Sequence, residues 1–316
     1  MSKFKYVGSE LDLFAAMWNW KAYWSQQIHP FLRGDILEVG AGIGSNTRFL
    51  DRGGGAGRWV CLEPDPALAG QLVKTFGGPE PRRAYETVCG TLESLAGQQF
   101  DAIIYIDVLE HIDNDREELN RAASQLKPGG HLIVLSPAHQ RLFSPFDAAI
   151  GHFRRYNRSM LRTILPASLR LERMRYLDCA GLILSAANML FLRQSMPTQA
   201  QLRFWDRWIV PISRVLDKVF LYSVGKTIIA VWRLTTTPDS SRDGSERVEW
   251  LCKKWNLRFT RLELAVYPTR LWPERLTGDE NRSDFTTNRS GPPVSTKEIN
   301  RWSLAKCSIK RGMLGA

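Results

Sequence analysis

The chain has no C-x-x-C pair and no even set of cysteines. Its five cysteines, Cys61, Cys89, Cys179, Cys252 and Cys307, are scattered through 316 residues. That excludes a disulfide scaffold and a Cys-rich metal site, and it fits a reducing cytoplasm. Cys61 and Cys89 fall in apolar strand-like runs, where a thiol behaves as a small hydrophobe. The N-terminus, Met-Ser-Lys-Phe-Lys-Tyr-Val-Gly, lacks the apolar region of a secretion signal. The most apolar run, residues 179–192, is shorter than the roughly 20 residues that span a bilayer. Lys and Arg are nowhere gathered into a block, although the formal net charge is +11. Spread charge disfavours nucleic acid, while the overall sign favours phosphorylated metabolites or a membrane surface. No metal-ligand spacing stands out. Asp113 and Asp115 beside His111 read as the acid-rich start of a helix. With 44% hydrophobic residues, the chain can build one large domain or two small ones.

The most informative stretch is Asp35-Ile-Leu-Glu-Val-Gly-Ala-Gly-Ile-Gly44. A short apolar strand runs directly into Gly40, Gly42 and Gly44, with Glu38 just ahead of them. Residues without a Cβ let the backbone turn sharply and let a ligand lie against it. A carboxylate beside such a turn suits a ligand that carries a cationic amine. The dinucleotide fingerprint spaces its glycines G-x-G-x-x-G, whereas this turn reads G-x-G-x-G. Downstream, Glu63 closes the next apolar run, placed to accept hydrogen bonds from ribose hydroxyls.

Apolar runs predict strands over 35–39, 58–62, 85–89, 100–106 and 131–135, with later ones over 170–177 and 226–234. Helical spacing predicts helices over 11–31, 45–50, 67–76 and 113–126. Pro128, Gly129 and Gly130 are placed to stop the last of these. Strands alternating with helices imply right-handed crossovers and an α/β, doubly wound sheet. Ligands in such sheets lie beyond the carboxyl ends of the strands. Residues 179–192 and 199–222 read as further helices, the second kinked at Pro211. Residues 236–316 have no sustained period and read as a poorly ordered tail.

Four segments agree in order and spacing with one family. They are the glycine turn, Glu63 at the end of strand two, Asp107-Val-Leu-Glu-His-Ile112, and Leu126-Lys-Pro-Gly-Gly-His-Leu-Ile-Val134. Together they resemble the class I S-adenosylmethionine-dependent methyltransferases. The resemblance implies a seven-stranded, mostly parallel Rossmann-like sheet over residues 1–235 whose last two strands run antiparallel. It makes 178–222 a helical cap inserted between those strands on the acceptor side. It implies S-adenosyl-L-methionine as cofactor, held by Glu38, Gly40, Gly42, Gly44, Glu63, Pro64, Thr91, Asp107 and Val108. The family often carries an acid just after strand three. Here the sequence is Cys89-Gly90-Thr91-Leu92-Glu93, and whether Thr91 or Glu93 serves is open.

Gly151-His-Phe-Arg-Arg-Tyr156 resembles a Gly-His-x-Arg-Arg-Tyr signature in a bacterial methyltransferase subgroup linked to glycosyltransferase or cell-envelope pathways. His152, His139 and Tyr156 are the catalytic candidates, the histidines as general bases. Arg154 and Arg155 are candidate phosphate or carboxylate ligands. The expected acceptor is a small molecule or a lipid-linked saccharide. The expected location is the cytoplasm, with peripheral contact at the inner membrane face. Two other classes stay open on these residues: an NAD(P)-dependent oxidoreductase and a non-catalytic cofactor-binding module.

Overall fold

Every residue of β1 (Ile36–Val39) is buried, as an apolar strand must be when helices cover both faces of a parallel sheet. The computed structural model describes residues 10–51, 57–77, 84–187 and 197–235. The other strands are β2 (Trp59–Glu63), β3 (Tyr85–Cys89), β4 (Phe100–Ile106), β5 (Leu126–Pro137), β6 (Leu169–Leu177) and β7 (Thr227–Leu234). They form a seven-stranded sheet in the order β3-β2-β1-β4-β5-β7-β6. β1 to β5 pair in parallel, and β7 is antiparallel to both β5 and β6. The strand order reverses between β1 and β4, so a ligand crevice is expected beyond their carboxyl ends.

Alternate residues of each strand point to opposite faces, which divides the core in two. Leu37, Val39, Ile103, Tyr105, Leu132 and Val134 lie in one layer. Ile36, Trp59, Ala102, Ile104 and Ile133 lie in the other, with Trp20, Tyr23, Trp24 and Trp205. The helices in chain order are α1 (Glu10–Ala15), α2 (Trp18–Ile28), α3 (Thr47–Leu50), α4 (Pro66–Phe76), α5 (Asp115–Ser124), α6 (Pro145–Ala149), α7 (Arg158–Ile164), α8 (Cys179–Ala187), α9 (Gln199–Phe204) and α10 (Val210–Val219).

Several boundaries differ from the sequence expectation. The single helix over 11–31 is two helices with a break at Ala16 and Met17. Leu126 already pairs with Phe100, and the register then jumps so that Ala102 faces His131. The Lys-Pro-Gly-Gly stretch is therefore a bulge inside β5 as well as a helix stop. Lys127 fastens it, with Nζ 3.0 Å from Asp35 and 2.8 Å from Asp101. Cys89 is exposed while Cys61 is buried, because β3 is an edge strand and β2 is not. Ahead of Pro211 the helix widens into a π turn over Trp205–Ile209. Proline removes one backbone donor, and a π turn is a common way to absorb that loss.

The insertion between β6 and β7 leaves and rejoins the sheet at its carboxyl edge, opposite β1 and β4. Its inward face buries Leu202, Trp205 and Val210 and, among them, a set of hydrogen-bonded polar groups. Asp178 accepts from Trp205 Nε1 at 2.8 Å and Ser213 Oγ at 2.6 Å. Asp217 accepts from Tyr23 Oη at 2.8 Å and from the amides of Asp178 and Cys179. Asp206 accepts from the amide of Trp20 at 2.9 Å. These bonds pin the insertion to α2 and to the end of β6. All described residues belong to one compact unit, residues 1–247. The tail expected over 236–316, with Cys252 and Cys307, lies outside the described residues, as does the end of the helix expected over 179–192.

Candidate functional site

The three glycines after β1 all have left-handed backbone, with φ of 67° at Gly40, 57° at Gly42 and 74° at Gly44. Other residues adopt this region only at a cost. The reason for glycine differs along the turn. A Cβ on Gly40 would sit 2.6 Å from Val108 Cγ2, and one on Gly44 would sit 2.5 Å from Phe76 Cε2. Those two are bare for packing. A Cβ on Gly42 would meet only Leu11, at 3.7 Å, so Gly42 faces open room. Val108 covers Gly40 and anchors the turn to the end of β4. Glu63 ties the turn to β2: its Oε2 accepts from the Gly42 amide at 2.8 Å and its Oε1 from the Asp65 amide at 3.0 Å. Burial raises the Glu63 pKa. Each carboxylate oxygen retains a lone pair for a further donor. Pro64 follows it, and Asp65 caps α4 by accepting from the Ala67 amide at 2.7 Å.

Glu38 is more enclosed than a bare acceptor at a turn. It is 2% exposed and accepts from Trp59 Nε1 at 3.0 Å. Burial pushes its pKa up to about 7, against hydrogen bonds from Thr47 and Trp59 and the charge of Lys21. Lys21 comes from α2. It is 4% exposed and donates to Ser45 Oγ at 2.7 Å. Burial lowers its pKa to about 8, while Asp107 and Glu38 pull it up. The sequence reading missed Lys21. A lone lysine in an aromatic-rich stretch was its only signal.

The raised pKa of Glu38 has a measurable consequence. The fold favours its protonated form, so its stabilising contribution is full below its ordinary pKa of 4.5 and is lost as pH rises through about 7. Glu38→Gln should flatten the fall in melting temperature between pH 5 and 7.5. Equal slopes for variant and wild type would mean that Glu38 does not titrate in this range.

A second cluster lies past β4. Asp107 (φ 54°) has an exposed side chain among the strand ends, the position of a residue on the floor of an open cleft. Desolvation by the surrounding protein raises its pKa, against the charges of His152, Lys21 and Lys226, and water reaching the carboxylate moderates that rise. Glu110 is fully buried. Its Oε2 accepts from Ser136 Oγ at 2.8 Å, and its Oε1 has no hydrogen-bond partner among the described residues. Burial, then Asp107, raises its pKa well above the carboxylate range, so it is held as the neutral acid.

His152 Nδ1 is 2.9 Å from Asp147 Oδ1 and its Nε2 is 3.9 Å from Glu110 Oε1. Asp147 only accepts, so Nδ1 carries the proton and Nε2 keeps a lone pair. Burial alone would raise the Asp147 pKa, but bonds from His152 and Arg155 hold it well below the usual range. The His111 ring stands edge-on to His152 with centroids 4.5 Å apart. Burial, then His152, lowers its pKa to about 4, so it is neutral near pH 7. Asp147 lies five residues before His152 with no pattern to mark it, and Glu110 sat unremarked inside a quoted segment.

Other expected site residues stand elsewhere. Tyr156 is fully buried in the core, and its hydroxyl donates to Asp115 Oδ2 at 2.8 Å. Burial, then Asp115, raises its pKa, so its catalytic assignment is replaced by a structural one. His139 stacks on Tyr176 and its Nε2 donates to the Gly225 carbonyl at 2.9 Å. That bond leaves Nδ1 as the nitrogen with the lone pair and links the loop after β5 to the start of β7. Arg155 grips Asp147 with two bonds of 2.8 Å, and Arg154 Nη1 lies 2.6 Å from Asp115. Both arginines are internal struts rather than anion ligands. Glu93 is exposed and pairs with Arg121 at 3.2 Å, while Thr91 is half-buried just after β3.

Residues 37–132 match the family model described as a methyltransferase domain. The chain resembles that family over this stretch. Its sheet, with the last pair antiparallel, is the one expected of the class I type. The chain shares 32% identity over 139 residues with the demethylmenaquinone methyltransferase of Tropheryma whipplei (strain Twist), covering 43% of this chain and 52% of the relative. It shares 29% over 147 residues with the ubiquinone biosynthesis O-methyltransferase of Xanthomonas axonopodis pv. citri (strain 306), covering 40% and 59%. The chain thus spans little more than half the length of these curated relatives. A solved S-adenosylmethionine-dependent methyltransferase from Clostridium acetobutylicum ATCC 824 aligns with a TM-score of 0.46 and 12% identity, covering 72% of this chain and 96% of that one. S-adenosylmethionine is the cofactor named for that solved neighbour. The residues present fit it: the open side of Gly42 and the free lone pairs of Glu63 suit the adenosyl part, and Lys21 with Asp107 offers one charge of each sign to an amino acid.

Proposed function

We propose that this chain is an S-adenosylmethionine-dependent methyltransferase acting on a small acceptor whose nucleophile must lose a proton. One observation supports this above the rest. Asp107 lies within electrostatic reach of both Lys21 and His152, so the glycine-turn side and the histidine side meet at the end of β4. When bound, the cofactor supplies a methyl group already activated for displacement. The chain's own work is to hold, align and deprotonate. The 40–44 turn and Val108 shape the floor, Glu63 receives the ribose hydroxyls, and Thr91 borders the base. The Lys21 ammonium faces the carboxylate of the amino acid. The Asp107 carboxylate faces its amine, as the sequence reading had Glu38 do. Glu38 stands behind as the partner of Lys21 and Trp59. His152 Nε2 takes the acceptor's proton, and Asp147 fixes the tautomer and offsets the new charge. Glu110, buried and held neutral, borders that nitrogen at 3.9 Å.

For the acceptor, a lipid-linked saccharide of the cell envelope is the reading supported by the apolar, Arg-flanked insertion, and peripheral contact with the inner membrane face goes with it. The names of the two relatives favour a second class, quinone precursors. Incubating the full chain with methyl-labelled donor and a cell extract tests both the activity and the acceptor. Label is expected in the lipid-soluble fraction. Acid lability would assign it to a glycosyl-linked lipid, and acid-stable label to a quinone precursor. No label in any fraction, despite tight donor binding, would sink the enzyme reading in favour of a binding module.

A further inference from the structure

The segment from α9 through α10 carries large apolar side chains on its outer side as well as its inner one. The side turned to the protein buries Leu202, Trp205 and Val210 together with Asp206, Ser213 and Asp217, and the last three are hydrogen-bonded there. The side turned outward carries Phe204, Trp208, Ile212, Val215 and Val219. These recur at intervals of four, four, three and four, so they form one stripe. They are 53%, 57%, 50%, 63% and 67% exposed. At the helical rise, 204 to 219 runs about 22 Å. Leu221, 82% exposed, lies just past its end. A contiguous apolar strip of this kind marks an interaction surface rather than ordinary scatter.

The charges say what it meets. Between 199 and 222 the only acids are Asp206 and Asp217, both turned inward. Arg203, Arg207 and Lys218 are exposed and flank the stripe. The exterior is therefore apolar and purely cationic. We propose that this stripe lies in the plane of an anionic bilayer surface, its apolar side chains among the lipid chains and its cations among the headgroups. A second copy of the chain fits worse, because two-fold pairing of this face would oppose cations to cations with no acid to offset them. Among the described residues no helix is long and apolar enough to cross a membrane, so the contact is peripheral. The inference rests on the proposed methyl transfer for its purpose. The insertion leaves the sheet at the cleft edge, so docking would set the cleft beside the lipid headgroups, where a lipid-linked acceptor presents its polar end.

The test is vesicle co-sedimentation of the full chain, with S-adenosylhomocysteine affinity measured in parallel by calorimetry. Vesicles containing phosphatidylglycerol should retain the protein, and phosphatidylcholine alone should not. Trp208→Ser combined with Ile212→Ser should lower the partition coefficient about tenfold or more. Arg203→Gln, Arg207→Gln and Lys218→Gln together should lower it on the order of 100-fold at low salt. All variants should bind S-adenosylhomocysteine as the wild type does. No retention on anionic vesicles, or retention that the Trp208/Ile212 variant keeps, overturns the docking proposal. So does a dimer that dissociates in that variant while vesicle binding persists. Failure of the wild type to bind S-adenosylhomocysteine would instead strike the methyltransferase reading, with the vesicle result standing on its own.

Discussion

Replacing Gly42 with Val should abolish measurable binding of S-adenosylmethionine and of its demethylated product. Of the three glycines in the turn, only Gly42 has an open side. Its hypothetical Cβ approaches nothing nearer than Leu11 at 3.7 Å. A branched side chain there would fill the room left for the ligand, while leaving Val108 and Phe76 untouched. The loss should exceed 100-fold, about 2.7 kcal/mol. A second cost comes from φ of 57°, which a β-branched residue adopts poorly; of order 1–3 kcal/mol of stability is expected to go. The two effects separate experimentally. Thermal denaturation reports the strain, and calorimetric titration on the folded protein reports the ligand. Gly40→Ala is the contrast, since its Cβ would strike Val108 at 2.6 Å and disturb the turn itself. A Gly42→Val protein that is folded and binds the cofactor with wild-type affinity would move the site away from this turn.

His152→Asn should lower kcat by about 100- to 10,000-fold while leaving cofactor affinity within a few-fold. The argument is geometric. Asp147 holds Nδ1–H at 2.9 Å, which points the Nε2 lone pair toward Glu110 and the cleft past β4. Asn can keep the bond to Asp147 but offers no base. Asp147→Asn should cost less, because it removes orientation and charge but leaves the imidazole. A variant retaining kcat near the wild-type value would show that the histidine serves structure alone.

The amino-acid sequence by itself determined the sheet and marked half of the candidate site. Short apolar runs of β-formers can only be buried strands, and three glycines at alternate positions can only be a turn with little room for side chains. Gly42, Glu63, Asp107 and Val108 were therefore legible, because each sits at the end of a strand whose place in the sheet follows from the alternation. Tertiary structure alone decided the chemistry between distant segments. His152, His139 and Tyr156 look alike as candidates in sequence. Packing separates them: one faces an acid cluster, one stacks on Tyr176, and one is sealed against Asp115. Lys21 enters the cleft from a helix that precedes the sheet, and no local pattern can announce a partner across such a distance. The insertion is the clearest case. Periodicity shows that α10 has an apolar side, but which way that side turns depends on Asp206 and Asp217. Their hydrogen bonds with α2 and the end of β6 turn them inward beside Trp205 and Val210 and leave the apolar stripe facing out.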